Sequence, residues 1–297
     1  MKPEKILNFL ALPFLYLLSI FPFPIIYLFS DFLFVLVFYI WRYRKKVVFD
    51  NLRLSFPDKT DAEIKALRWF YYRYLCDLFV ETIKMLTISP KELIRRCYLD
   101  EKSRQLLDQL YDHGESAIVT LGHKGNWEWA GMAFSLLCQQ SFYIVYHPLS
   151  NSMLDKMMHQ MRSRFGARLI TMNNAFKVLK QAGNEPILSA FVADQSPPPA
   201  TALWTEFMHQ ETPFFRGPEK ISSKLGQNVV YLSIRRVHRG YYLMHVDKLA
   251  DSHDEYVAGR VTEKYVEALE TDILSDPATW LWSHRRWKHK KPALATA

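Results

Sequence analysis

Ser116-Ala117-Ile118-Val119-Thr120-Leu121-Gly122-His123-Lys124-Gly125-Asn126-Trp127-Glu128-Trp129 joins one apolar run to another through a short polar turn. Residues 116–121 read as a buried strand, and the apolar residues that follow to Leu137 read as a helix. A His and a Glu five apart, at a strand-to-helix turn with two glycines, add little to a core. They can present a base and the group that orients it. On a continuous helix a spacing of five turns through about 500°, so the two side chains would not share a face. The glycines instead imply a turn, with the helix starting near Asn126 as its N-cap.

The alternation seen in this stretch continues downstream. Strand-like runs at 142–146, 168–171, 187–193, 229–234 and 241–246 are separated by helix-like ones at 151–165, 175–181 and 218–225, with a last helix at 256–274. That pattern predicts an α/β domain with a mainly parallel central sheet flanked by helices. Ligands in such sheets bind beyond the carboxyl ends of strands. His123, His147 and the pair Asp194-Gln195 all follow predicted strand ends. The segment 196–215 shows no clear periodicity; its apolar residues, Trp204, Phe207, Met208, Phe214 and Phe215, suggest a lid over a greasy ligand or a membrane contact.

Upstream, residues 6–40 are almost wholly apolar, with Asp31 the one charge and a break expected near Pro22-Phe23-Pro24. They predict an N-terminal membrane-associated helical segment over 1–41: one membrane helix plus an interfacial one, or a hairpin that does not fully cross. The basic cluster Arg42-Tyr43-Arg44-Lys45-Lys46 favours the cytoplasmic side and anionic head groups. Thr60 or Asp61 is expected to cap a helix reaching about Met85, with Glu63 completing a capping box. The chain beyond the anchor, 42–292, is read as one domain, and 293–297 as a disordered tail.

The chain of 297 residues carries a net charge of +8, which favours anionic partners. Three cysteines without CxxC spacing argue against a disulfide framework or a zinc site and fit small apolar side chains in a reducing compartment. Aromatic and basic residues interleave at 280–291. No nucleic-acid module accompanies them. Interfacial anchoring or docking of an acidic carrier protein fits better.

Gly122-His123-x-Gly125-Asn126-Trp127-Glu128 resembles the H-x4-D/E motif of the lysophospholipid acyltransferase superfamily, and in particular its bacterial lipid A late acyltransferases. Further blocks are similar to that family in its own order. They are Asn51-Leu52 through Ser55-Phe56-Pro57, Tyr146-His147-Pro148 with Arg162 and Arg164-Phe165-Gly166, Asp194-Gln195, Pro213-Phe214-Phe215 with Gly217-Pro218, and Trp280-Leu281-Trp282 with His284-Arg285-Arg286-Trp287-Lys288. Lys124 and His147 depart from the family's usual Phe and Arg.

The resemblance implies an O-acyltransferase at a bacterial inner membrane, its catalytic domain facing the cytoplasm. The acyl chain would pass from an acyl carrier protein thioester, or acyl-CoA, to a hydroxyl of a lipid A precursor. His123 would be the general base and Glu128 its partner. Arg164 and Arg162 would bind phosphate or the thioester oxyanion, and Asp194 and Gln195 would line the site. Asn126 at the helix start, Lys124 and Arg216 complete the candidate binding residues. No metal or cofactor is needed, because the base is a side chain and a thiolate leaves readily. Another lipid acceptor, or a lipid-binding protein without catalysis, are the alternatives.

Overall fold

The computed structural model describes residues 3–182 and 185–291, with side chains from Leu12 onward. The tail expected at 293–297 lies outside the described residues.

The elements run α1 (Pro3–Ile20), α2 (Phe23–Val35, continued by a π turn at Leu36–Ile40), α3 (Lys45–Ser55), α4 (Asp61–Lys84), α5 (Pro90–Arg96), β1 (Cys97–Leu99) and α6 (Glu101–Asp112). The doubly covered part of the sheet follows: β2 (Ala117–Leu121), α7 (Trp127–Leu137), β3 (Ser141–Tyr146), α8 (Ser152–Ser163), β4 (Arg168–Thr171), α9 (Ala175–Lys180) and β5 (Ile187–Val192). A hairpin β6 (Leu203–Phe207) and β7 (Gln210–Phe214) precedes α10 (Gly217–Leu225), β8 (Asn228–His238), β9 (Tyr241–Ala250) and α11 (Arg260–Ser275). One seven-stranded sheet has the order β1-β9-β8-β2-β5-β3-β4. It is parallel except where β8 turns back on β9.

The expected α/β architecture is therefore present. β2 and β5 lie at its centre, and successive residues of these strands enter opposite cores. Val119, Leu188 and Ala190 face Trp129 and Ala133 of α7, while Ile118, Ile187 and Phe191 face Leu179 of α9 and Ile221 of α10. Burial on both faces explains why β2 reads as a continuous apolar run.

The capping box forms as expected. The Thr60 hydroxyl accepts from Glu63 N–H, and the Glu63 carboxylate accepts from Thr60 N–H at 2.7 Å. α1 and α2 break at residues 21–22, before the proline at the first turn of α2. Cys76, Cys97 and Cys138 are free, the first two buried.

Two expectations are corrected. The segment 196–215 is no exposed apolar loop: it folds into the β6–β7 hairpin, and Phe207, Met208 and Phe214 are buried against Tyr265 and Trp280. Its turn, Met208-His209, takes positive φ at both residues, a hairpin geometry usually signalled by Asn or Gly and so invisible here. Nor are Trp280 and Trp282 free for the interfacial anchoring expected of the stretch 280–291. Trp280, Trp282 and Arg286 are buried, and the segment crosses the carboxyl edge of the sheet as a strap. Asn51 Nδ2 donates to Trp282 O at 2.8 Å and His284 O at 2.9 Å, and Tyr71 Oη accepts from Ser283 N–H at 3.0 Å.

Candidate active site

β2 and β5 pair in parallel register with Leu121 opposite Val192. Two residues beyond that pair stand His123 and Asp194. The register alone thus brings a base and a carboxylate together at the carboxyl end of the sheet. His123 Nδ1 lies 2.5 Å from Asp194 Oδ1, and Asp194 Oδ2 accepts from His123 N–H at 2.7 Å and from Trp280 Nε1 at 2.8 Å.

Asp194 is 2% exposed and the His123 side chain 17%. Burial by itself would raise the Asp194 pKa. The neighbouring imidazole and the three donors outweigh it and hold the carboxyl at about 2. An ionised carboxylate on Nδ1 keeps that nitrogen protonated and leaves Nε2 as the basic one. Nε2 points outward, 3.3 Å from the amide nitrogen of the exposed Gln195.

The turn is held from all sides. A Cβ on Gly122 would lie 2.5 Å from Leu269 and 3.2 Å from Asp194 Oδ2, so only glycine lets the carboxylate approach. Gly125 has φ +58° and backs onto the Ile234 carbonyl, 2.4 Å from where a Cβ would be. Tyr74 Oη donates to Gly125 O at 2.5 Å, and the strap closes the other side with Leu281 N–H to His123 O at 3.1 Å and Gly125 N–H to Thr279 O at 3.0 Å. Asn126 caps α7 as expected, accepting from Trp129 N–H at 2.9 Å. Its amide donates to the buried Glu81 at 2.7 Å, which also accepts from Tyr242 and Tyr27.

Glu128 does not take the place expected of it. Its carboxylate accepts from Arg162 Nε at 2.8 Å and Nη2 at 2.6 Å, and from Trp127 Nε1 at 3.2 Å. The group on the His123 ring is Asp194. A helix start turned by two glycines aims Glu128 along α7 toward α8, while the strand partner supplies the carboxylate. Arg162 and Glu128 remain at the site's edge, since the Trp127 ring that bonds Glu128 packs edge-on to His123 at 5.0 Å. Arg162 spends two of its donors on Glu128.

The other expected binding residues are placed differently. Lys124 is buried, its ammonium 2.9 Å from Asp272 but off the hydrogen-bond direction. Arg164 donates to the Met85 and Ile88 carbonyls at the turn that ends α4. Arg216 donates to Glu219 at 2.9 Å and to Tyr256 at 3.2 Å. A polar hollow of about 190 Å³ is lined by Glu219, Ser222, Asp251, Tyr256 and neighbours; none of His123, Asp194 or Gln195 lines it.

The strap adds what sequence reading missed. Trp280 steadies Asp194. His284 has its Nε2 buried and without a hydrogen-bond partner among the described residues. Burial pushes its pKa down to about 4, and Asp194 and His123 lie within its electrostatic reach. Both residues lie in the 280–288 block, whose mix of aromatic and basic residues resembles an exposed surface in sequence. Among the described residues no cluster of His, Cys, Asp and Glu could hold a metal ion.

The chain is similar to the lipid A biosynthesis myristoyltransferase of Escherichia coli (strain K12), 21% identical over 248 residues, covering 82% of this chain and 74% of that protein. The sequence model of the family described as "Bacterial lipid A biosynthesis acyltransferase" matches residues 1–289. A match of that extent spans the His123 turn, its Asp194 partner and the strap over both, and the protein belongs to the bacterial lipid A biosynthesis acyltransferase family.

Proposed function

We propose that the protein is a membrane-associated O-acyltransferase moving a fatty acyl chain from an acyl carrier protein thioester to a hydroxyl of a lipid A precursor. Acyl-CoA is the alternative donor. His123 Nε2 takes the proton of the acceptor hydroxyl as its oxygen attacks the thioester carbonyl. Asp194 holds the Nδ1 proton and stabilises the imidazolium, with the acceptor's own hydroxyl as nucleophile. The tetrahedral intermediate collapses by breaking the C–S bond. The thiolate recovers the proton from His123, giving ester and free thiol. Gln195 marks where the acceptor hydroxyl meets Nε2. Arg162, held in place by Glu128, is available to the oxyanion or to a phosphate of the acceptor.

The observation that carries this reading is the His123–Asp194 pair, with Nε2 directed outward at the end of the sheet. The basic cluster after α2 supports a cytoplasmic face at an inner membrane. The test uses purified full-length protein in mixed micelles with acyl carrier protein thioester. Lipid A precursor, a lysophospholipid and an aminolipid are offered in separate arms. Transfer to the lipid A precursor, lost in His123→Asn, is expected. Transfer to another acceptor would reassign the substrate, and turnover on none of them would reject the enzyme reading.

A further inference from the structure

Among the described residues one stretch, Phe23–Ile40, is long and apolar enough to cross a membrane by length and composition. Its contacts argue that it does not. α2 runs antiparallel along α4 for its whole length. Tyr27 donates to Glu81, Ser30 to Asp77, Phe34 meets Trp69 edge-on at 5.4 Å, and Phe38 meets Tyr72 at 5.4 Å. Ile26, Ser30, Phe34 and Phe38, each four apart, form the buried face.

Asp31 stands at the middle of the stretch. It accepts from Arg73 of α4 at 3.0 Å and from Arg239 at 2.8 and 3.1 Å; Arg239 lies at the β8–β9 turn and also binds Asp77. The Asp31 and Arg73 side chains are 43% and 39% exposed. Leading into that turn, the end of β8 exposes Arg235, Val237 and His238. Were α2 to span a bilayer, this charged cluster and an irregular turn would sit at its midplane, where exposed charges and open backbone are least tolerated.

The opposite face tells where lipid belongs. Ile25, Leu28, Phe32, Val35 and Tyr39 form one exposed stripe at helical spacing. Phe14, Leu17 and Phe21 continue the exposed apolar surface on and after α1. At its end Trp41 and Tyr43 are exposed beside Arg42, Arg44 and Lys46. Aromatic rings with basic neighbours suit the head-group layer, and the positive charge selects anionic lipid.

We propose that α2, with the end of α1 from Phe14 on, lies in the plane of an anionic lipid surface, with this stripe entering one leaflet and no segment of α2 crossing. The seating goes beyond the acyl-transfer reading and does not depend on which lipid is acylated.

The test places a nitroxide singly at Ile25→Cys, Leu28→Cys, Phe32→Cys, Val35→Cys and Tyr39→Cys. The background is full-length protein with Cys76, Cys97 and Cys138 replaced by Ala. Vesicles of phosphatidylcholine and phosphatidylglycerol are used, and depth is read by power saturation with oxygen and an aqueous nickel chelate. In-plane seating predicts one shared shallow depth of about 5–10 Å below the head groups at all five positions. Phe32→Glu with Leu28→Glu should weaken vesicle binding roughly tenfold or more, with thermal unfolding unchanged. A depth that peaks at Phe32 and falls toward both ends means spanning and overturns the proposal. Labels open to the nickel chelate throughout overturn it as well, as do labels shielded from both reagents by a second copy. Acyl transfer measured on the same vesicles is a separate reading: its absence with shallow labels rejects the catalytic assignment and leaves the seating standing.

Discussion

Two carboxylates stand near His123, and they can be separated by substitution. Asp194 is on the ring; Glu128 is on Arg162. Replacing Asp194 by Asn frees the imidazole tautomer and should lower the turnover number by about 10³- to 10⁴-fold. Glu128→Gln loosens Arg162 and should act instead through binding or oxyanion stabilisation. Its effect should then vanish in an Arg162→Ala background, as a double-mutant cycle of kcat/KM would show. Equal and independent losses would return Glu128 to the role of direct partner. His284 carries a pH signature. Its folded pKa is about 4 against an ordinary 6.5, so the unfolded chain binds the extra proton between those values. Stability is complete above pH 6.5 and falls as pH drops toward 4, by about 1–2 kcal/mol once partial exposure is allowed for. Urea midpoints at pH 7.5 and 5.0 should differ less in His284→Asn than in the parent protein.

At the scale of elements, the start of α7 is the part on which the site depends. Asn126 caps it and ties it to Glu81 on α4, a buried carboxylate with a pKa raised by burial and supplied with three donors. Asn126→Ala removes a cap and leaves that carboxylate one donor short, an expected cost of about 2–4 kcal/mol by denaturant unfolding. The exposed cap of α4 is the control: Thr60→Ala should cost about 1 kcal/mol and leave transfer intact. Gly125→Ala forces a Cβ against the Ile234 carbonyl at positive φ, and a loss of about 2 kcal/mol or more is expected with turnover reduced.

Across the whole molecule, residues far apart in the chain meet on the strap. Asn51 of α3, Tyr71 of α4 and the β6–β7 hairpin all grip residues 280–287, and the strap in turn grips the His123 turn. Arg286 is wholly buried, donating to Pro213 O at 2.7 Å over the Phe214 ring. Asn51→Ala releases two strap carbonyls without touching His123. Turnover should fall about 10- to 100-fold through misplacement of the base, and amide exchange should quicken over 279–287. An unchanged exchange pattern with normal turnover would show that the strap's grip has no part in positioning His123.

The local patterns that sequence can carry were legible. Strand and helix alternation follows from side-chain periodicity, and the caps at Thr60 and Asn126 from residues that bond their own backbone. His123 and Asp194 could be named separately, because each follows an apolar run that must be a strand. Their partnership was not legible, since it rests on β2 pairing with β5 in register, a contact 71 residues apart. Glu128, in the same turn and at the H-x4-E position of the resemblance, drew that role instead. The buried strap and hairpin were hidden for the same reason: aromatic and basic residues read as surface until other elements close over them. Sequence determined which groups stand at strand ends. Only the tertiary structure decided which of them touch, because strand register and packing are set by contacts that no local pattern records.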